Sequence, residues 1–173
     1  MKIIYFILFL KMILMSKVLA ETGCIKGDCS GMVGGLGGYT NGTYVFDNGD
    51  IYVGDWKYGL FDGKGVLTHL DGTTTEGVWS SDDIIYQCIE GNCINGKGLI
   101  KNNENGEVYF GDLKNYEANG EGVLTFSLDG DPVKNRNKYS GEFKNHKYHG
   151  KGTLEWASGN KHIGEFKDGY FHG

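Results

Sequence analysis

The residues best suited to chemistry are four cysteines, which occur as one motif written twice. Cys24 and Cys29 enclose Ile-Lys-Gly-Asp, and Cys88 and Cys93 enclose Ile-Glu-Gly-Asn. Because cysteines that follow a secretory signal form disulfides, this spacing favours one bond within each motif. The alternatives are a metal site built from all four thiolates, although zinc motifs usually space their ligands more closely, and acylation of Cys24 as in a bacterial lipoprotein. Glu21, three residues before Cys24, fits a lipoprotein signal poorly.

The histidines could bind a metal or transfer protons, but their spacing favours neither role. His149 and His172 each precede a glycine, which is typical of turn residues, and His146 and His149 are expected to flank a tight hairpin. No Glu-x-x-His pattern accompanies them, and the chain contains no nucleophile elbow, phosphate loop or calcium loop. We therefore expect no catalytic residue, no cofactor and no metal site.

Acidic and basic residues alternate along one face of the predicted strands. Each of four acids is followed two residues later by a lysine, which predicts a solvated ladder of ion pairs of about 0 to 1 kcal/mol each. A cation or substrate site is the alternative, but the lysines would neutralise much of its field. The pairs are Asp55 with Lys57, Asp112 with Lys114, Glu142 with Lys144 and Glu165 with Lys167.

The amino-terminal segment differs from the rest of the chain. An apolar stretch follows Lys2, is interrupted by Lys11 and ends in small or branched residues at Ala20, which predicts a secretory signal over residues 1–20 with cleavage after Ala20. The alternative is an uncleaved membrane anchor, for which the apolar run is short of the roughly 20 residues that a membrane span needs.

Composition excludes several classes of protein. Thirteen per cent aromatic residues is too many for a disordered chain, and 30 glycines with a single proline and no Gly-X-Y period exclude collagen. All 22 acidic residues follow the predicted signal, whose removal changes the net charge from −5 to −8. Such a charge argues against nucleic-acid binding, and contact with lipid would require apolar anchoring.

An internal repeat dominates the remaining sequence. Tyr52-Val-Gly54-Asp-Trp56 is followed nine residues after its glycine by the pair Gly63-Lys-Gly65, and the same pattern returns down the chain. Its strand glycines lie 23 residues apart where no insertion intervenes. The later copies begin at Thr75, Tyr109, Tyr139 and His162.

This pattern resembles the MORN (membrane occupation and recognition nexus) repeat family. The resemblance covers residues 41–173 as about five repeats, of which the last is truncated, with insertions near 80–95 and 129–138. Residues 21–40 form a glycine-rich lead-in that contains Cys24 and Cys29. The resemblance implies stacked β-hairpins in one curved sheet with a groove on one side.

Alternation within the repeat predicts the same all-β class. Residues two apart in a strand share a face, so Tyr52, Gly54 and Trp56 point one way, and the bare glycine leaves room for an aromatic ring from a neighbouring strand. We expect about ten short strands in an elongated, single-layer antiparallel meander.

The predicted function is that of a non-enzymatic scaffold, secreted or exposed at the cell surface. Its partner would be a protein, a glycan or a membrane lipid, held in an aromatic groove, whereas the oligomeric state is not predicted. The alternatives implied by the resemblance are an accessory module of a larger lipid kinase or methyltransferase-like protein, and phospholipid binding. The expected location is extracytoplasmic, with membrane anchoring as the alternative. The groove candidates are Tyr52, Trp56, Trp79, Tyr109, Phe143 and Phe166.

Overall fold

A computed structural model describes residues 23–27, 39–127 and 136–172, and this part of the chain is all-β. Thirteen strands lie in chain order in a single open antiparallel sheet, rather than the ten or so expected. The additional strands lie at Gly23–Gly27 in the predicted lead-in, at Tyr39–Val45 where the lead-in meets the predicted array, and at Asp83–Gly91 in the first predicted insertion. The strands are β1 (Gly23–Gly27), β2 (Tyr39–Val45), β3 (Ile51–Lys57), β4 (Leu60–Thr68), β5 (Thr74–Ser80), β6 (Asp83–Gly91), β7 (Asn95–Asn102), β8 (Val108–Lys114), β9 (Glu117–Ser127), β10 (Arg136–Lys144), β11 (Lys147–Glu155), β12 (Lys161–Lys167) and β13 (Tyr170–Phe171).

The chain divides into two compact units. The first comprises residues 1–75 and 80–82 and contains β1 to β4, and the second comprises residues 76–79 and 83–173 and contains β6 to β13. In the described residues no helix has the length and hydropathy of a membrane span.

Tight turns join the two strands of each repeat hairpin. At Tyr58-Gly59 both residues have positive φ, 54° and 86°, the type I′ geometry whose twist matches the strands it joins. Asn145-His146 between β10 and β11 has the same geometry. The turn histidine is thus His146, and the expectation for His149 was wrong: it lies inside β11, where the chain has already left the turn.

Neighbouring hairpins are linked through these turns. Within the second unit, the second turn residue donates its backbone N–H to a carbonyl of the preceding hairpin: His146 to Ala118 at 3.0 Å, and Gly169 to Tyr148 at 2.9 Å. Tyr116 donates in the same way to Cys93 at 3.0 Å. Successive repeats are therefore joined by hydrogen bonds at their turns as well as by strand pairing.

The paired glycines bring the two strands of a hairpin together. Gly54 lies opposite Gly65, and a Cβ at Gly54 would be 2.5 Å from the Gly65 Cα. A Cβ at Gly65 would be 2.1 Å from the Tyr52 hydroxyl oxygen. The expectation of a ring over the first glycine is thus refined: backbone packs on that glycine, and the ring lies over the second one.

The same geometry recurs in the second unit. Gly111 lies opposite Gly122 under Tyr109, and Gly141 lies opposite Gly152 under Tyr139. Each tyrosine ring thereby packs on a strip of bare backbone formed by two glycines, which buries ring area without a second layer of structure.

Candidate functional site

In the hairpins of Tyr52, Tyr109 and Tyr139 a β-bulge follows the glycine pair, and it explains the recurring spacing of acid and glycine within the repeat. In the β3–β4 pair, Asp55 alone lies opposite three residues, Asp62 to Lys64, between the pairs Gly54–Gly65 and Trp56–Phe61. The Asp55 carboxylate accepts the Lys64 backbone N–H at 2.9 Å. A carboxylate in this position satisfies a donor that the bulge would otherwise leave without a strand partner.

The corresponding acids of the second unit do the same. Asp112 accepts the Glu121 N–H at 3.0 Å, and Glu142 accepts the Lys151 N–H at 3.0 Å. The predicted ladder of i, i+2 ion pairs was therefore wrong for these acids, since their carboxylates cap the bulge. The ion pair that Asp112 forms is with Lys97, its cross-strand neighbour in β7, at 2.8 Å.

The repeat tyrosines bind the same bulge from the other face of the sheet, on which the buried rings of the repeat lie and which we call the interior face. The Tyr109 hydroxyl donates to the Asp112 carbonyl at 2.8 Å, and the Tyr139 hydroxyl donates to the Glu142 carbonyl at 3.1 Å. Burial raises the pKa of Tyr139 to about 12, and burial and the Asp112 charge raise the pKa of Tyr109. Both hydroxyls therefore stay protonated donors at neutral pH.

All six groove candidates are buried, with 0 to 6% of their surface exposed. In the first unit, Tyr52 meets Trp56 edge-on, with ring centroids 5.0 Å apart. In the second unit, Tyr109 and Phe143 meet edge-on at 4.9 Å, and Tyr139 meets Phe166 at 5.0 Å. The two contacts of the second unit join neighbouring hairpins, whereas Tyr52 and Trp56 pack against each other within β3. These contacts give the rings a structural role, while contact with a partner stays a prediction.

A second ring completes the interior of two hairpins and is missing from a third. Phe61 stacks on Tyr52 at 3.8 Å, and Tyr148 stacks on Tyr139 at 3.9 Å. The corresponding position beside Tyr109 is Ala118, which pairs with Leu113 just as Phe61 pairs with Trp56. The small side chain leaves a space where the other hairpins have a ring.

That space is part of a cavity of about 120 Å³ in the second unit. Tyr109 and Phe143 line it, so two of the six groove candidates lie at this cavity. Tyr86 and Asn102 also line it, and the Tyr86 hydroxyl is hydrogen-bonded to the Asn102 side chain. The remaining lining residues are Ile100, Glu107, Ala118, Leu124 and His146. We call this cavity the Ala118 pocket.

Negatively charged side chains surround the Ala118 pocket. The pKa of Tyr86 is raised by desolvation and by the charges of Glu107 and Glu104. His146 lies at the rim, where its ring stacks on Tyr86 with centroids 5.5 Å apart. Desolvation lowers the pKa of His146, which favours the neutral imidazole at neutral pH.

The MORN repeat family model matches residues 52–74, 109–127, 139–161 and 162–173. These segments are MORN repeats. Among curated proteins, no sequence matches the chain. Such repeats occur in scaffolds that interact with proteins or membranes. The four matched MORN segments include the hairpins with the tyrosine-capped bulge, and residues 75–108, which contain the second cysteine motif, lie between the first two matches.

The cystine loop occupies the place of a turn within the MORN array. Cys88 and Cys93 are bonded, with an S–S distance of 2.03 Å, which confirms the disulfide predicted within this motif. Bonded sulfurs cannot act as thiolate ligands, so a metal site of all four cysteines is wrong. Cys24 is also disulfide-bonded, whereas Cys29 and the cleavage residue Ala20 lie outside the described residues. In the described part, no cluster of three or more His, Cys, Asp or Glu is placed to hold a metal ion.

Sequence reasoning missed the Ala118 pocket, although a signal for it was present. Phe61, Ala118 and Tyr148 each lie four residues before the second glycine of their repeat, so aligning the MORN repeats shows one small residue at an otherwise aromatic position. Nothing in the repeat pattern indicated that Tyr86 or His146 would reach this space, because both come from other hairpins.

Proposed function

We propose that the chain is a non-enzymatic, extracytoplasmic MORN scaffold that holds a partner through its aromatic interior face. The observation that carries the proposal is that the polar side chains of the repeat are hydrogen-bonded to the backbone of the sheet. The carboxylates of Asp55, Asp112 and Glu142 bind backbone N–H groups, and the repeat tyrosine hydroxyls bind backbone carbonyls. Groups engaged in this way stabilise the array, which supports a binding scaffold better than a catalyst.

The part of the interior face that offers room for a partner is the Ala118 pocket. Tyr109 and Phe143 line it, whereas Tyr52, Trp56 and Phe166 are not among its lining residues. The aromatic groove is accordingly proposed to act at this pocket and its rim, with the other candidates holding the sheet in shape.

The disulfides support an extracytoplasmic location. Structural disulfides persist in oxidising compartments and are rare in the reducing cytosol. The oxidised state of Cys88, Cys93 and Cys24 therefore agrees with a secretory signal over residues 1–20.

The first test is the intact mass of the protein from fractionated native cells, before and after reduction. A mass that begins at Glu21 and rises by about four hydrogens on reduction supports secretion and two disulfides. An uncleaved or lipid-bearing mass would replace secretion by membrane anchoring. A fully reduced protein in the cytosolic fraction would overturn the extracytoplasmic proposal.

The second test concerns the class of partner. Flotation of the purified, oxidised protein with anionic vesicles, at low and at high salt, addresses phospholipid binding directly. We expect no flotation, because the predicted mature charge is −8. Flotation that strengthens at low salt would replace the protein or glycan partner by a lipid one.

A further inference from the structure

We propose that the Ala118 pocket binds a small organic cation, an alkylammonium or guanidinium group. The inference deepens the proposed scaffold function, on which it rests, by giving the interior face a ligand chemistry. Such a group could belong to a free amine or to a basic side chain of a partner protein.

The shape of the pocket follows from one missing ring. In the hairpins of Tyr52 and Tyr139, a stacked ring fills the space over the tyrosine, as described above. Beside Tyr109 that space is bordered instead by the Ala118 methyl group and the ring of Phe143. Its volume of about 120 Å³ leaves room for a small organic group.

The chemistry of the walls favours positive charge. Tyr86, Tyr109 and Phe143 provide three aromatic rings, whose electron-rich faces attract cations. The lining contains no lysine or arginine in this described region of the chain. Aromatic walls with an anion at one side are the arrangement that recognises an organic ammonium ion.

That anion is Glu107. It lines the pocket and is half-buried, and among the described residues its carboxylate has neither a hydrogen-bond donor nor an ion-pair partner. Its charge reaches the surrounding groups, since it contributes to the raised pKa of Tyr86 and of Tyr148. Glu117 adds further negative charge next to Tyr86 and His146. A bound cation would neutralise a carboxylate that the protein itself leaves unpaired.

The test is a nuclear magnetic resonance titration of the full chain, with its disulfides formed, against choline. The matched neutral probe is 3,3-dimethylbutan-1-ol, which has the same shape without the charge. We expect choline to shift the signals of Ala118 and Tyr109 in a saturable way, and the neutral probe to bind at least about tenfold more weakly. Equal binding of the two probes would overturn the proposal.

Two variants locate the effect. Ala118→Phe places a ring where the other hairpins have one and should abolish choline binding, while the far-UV spectrum and melting temperature report that the fold is kept. Glu107→Gln keeps the shape and should weaken binding about fivefold. The control Glu90→Gln, on an exposed residue of the cystine loop, should bind choline like the unmodified chain. Unchanged affinity in Glu107→Gln would overturn the role of charge even where Ala118→Phe fails to fold.

A competition arm distinguishes the sources of the cation. A short peptide with one lysine that displaces choline assigns the site to a partner's side chain, and a peptide that does not displace it assigns the site to a free amine. Absence of choline binding would sink this inference and leave the scaffold proposal intact, since that proposal is tested separately by the intact mass and the flotation assay.

Discussion

The Glu142 carboxylate accepts the backbone N–H of Lys151 at 3.0 Å, across a bulge and nine residues along the chain. The glycine before Lys151, Gly150, has a φ of +56°, and a Cβ there would lie 2.4 Å from the Glu142 carboxylate. Glycine and acid are thus two halves of one device: the bare Cα makes room for the carboxylate that caps the bulge.

The first prediction separates this cap from a surface ion pair. Glu142→Ala leaves the Lys151 N–H without its acceptor and should lower the free energy of unfolding by about 1 kcal/mol or more. Lys144→Ala, which would cost as much in a ladder of ion pairs, should change it by less than about 0.5 kcal/mol. Urea unfolding followed by circular dichroism measures both. If both variants lost the same free energy of unfolding, the ion-pair ladder and not the bulge cap would be supported.

A second prediction concerns the space over the paired glycines. Gly122→Ala would place a Cβ 2.3 Å from the Tyr109 hydroxyl oxygen and 2.5 Å from two ring carbons, so the ring must leave its site. We expect a loss of about 2 kcal/mol or more from overpacking. Gly72→Ala meets no atom within 4 Å and should cost only about 1 kcal/mol, through its positive φ. Thermal melts of both variants provide the comparison, and a Gly122→Ala variant as stable as Gly72→Ala would contradict the packing.

The free energy of unfolding should depend on pH because the ionised Asp112 carboxylate caps a bulge. Hydrogen bonds from Lys97 and from the Glu121 N–H hold the pKa of Asp112 below its usual 3.8. Because the folded-state pKa is the lower one, this contribution is complete above about pH 4 and is lost as the pH falls through the folded value.

Asp112→Asn cannot titrate and tests this directly. It should be less stable than the unmodified chain at neutral pH, and the difference should shrink towards zero at an acidic pH below the folded-state pKa of Asp112, where both side chains are neutral. Urea unfolding at the two pH values measures the change. A difference that is the same at both would show that the Asp112 charge contributes nothing.

The cystine loop should stabilise the second unit. Because it closes a loop of only a few residues, replacing both Cys88 and Cys93 by alanine should cost about 2 kcal/mol by the loop-entropy model. Cys93 is also buried, 1% exposed, so a double serine variant should lose more than the double alanine variant. Melting temperatures of the three proteins give the order, and a serine variant as stable as the alanine one would contradict the burial of Cys93.

Much of the fold could be predicted from the repeat. The glycine pairs and the 23-residue period predicted an antiparallel meander of hairpins, and the spacing of Cys88 and Cys93 predicted their bond. These features are local, because each depends on residues of one hairpin.

The features that the sequence did not predict depend on the curvature of the sheet and on contacts between hairpins. Alternation in a strand assigns Trp56 to a face but does not say whether that face is covered, and the structure buries it to 3% exposure. Likewise, the i, i+2 spacing of Glu142 and Lys144 suggested an ion pair because it ignored the bulge, which turns the carboxylate towards the backbone. The stacking of His146 on Tyr86 joins residues 60 positions apart and has no periodic signature.

The hydrogen bonds between turns have a consequence for how such an array can change in length. The backbone N–H of Tyr116 donates to the carbonyl of Cys93, just as the N–H of His146 donates to the carbonyl of Ala118. The next hairpin therefore requires one backbone carbonyl at the position that accepts its turn N–H, and it does not require a particular type of turn. A covalently closed loop can replace a two-residue turn without disturbing the hairpin that follows, so the turn edge can accept an insertion provided that its last residues return one oxygen to the same place.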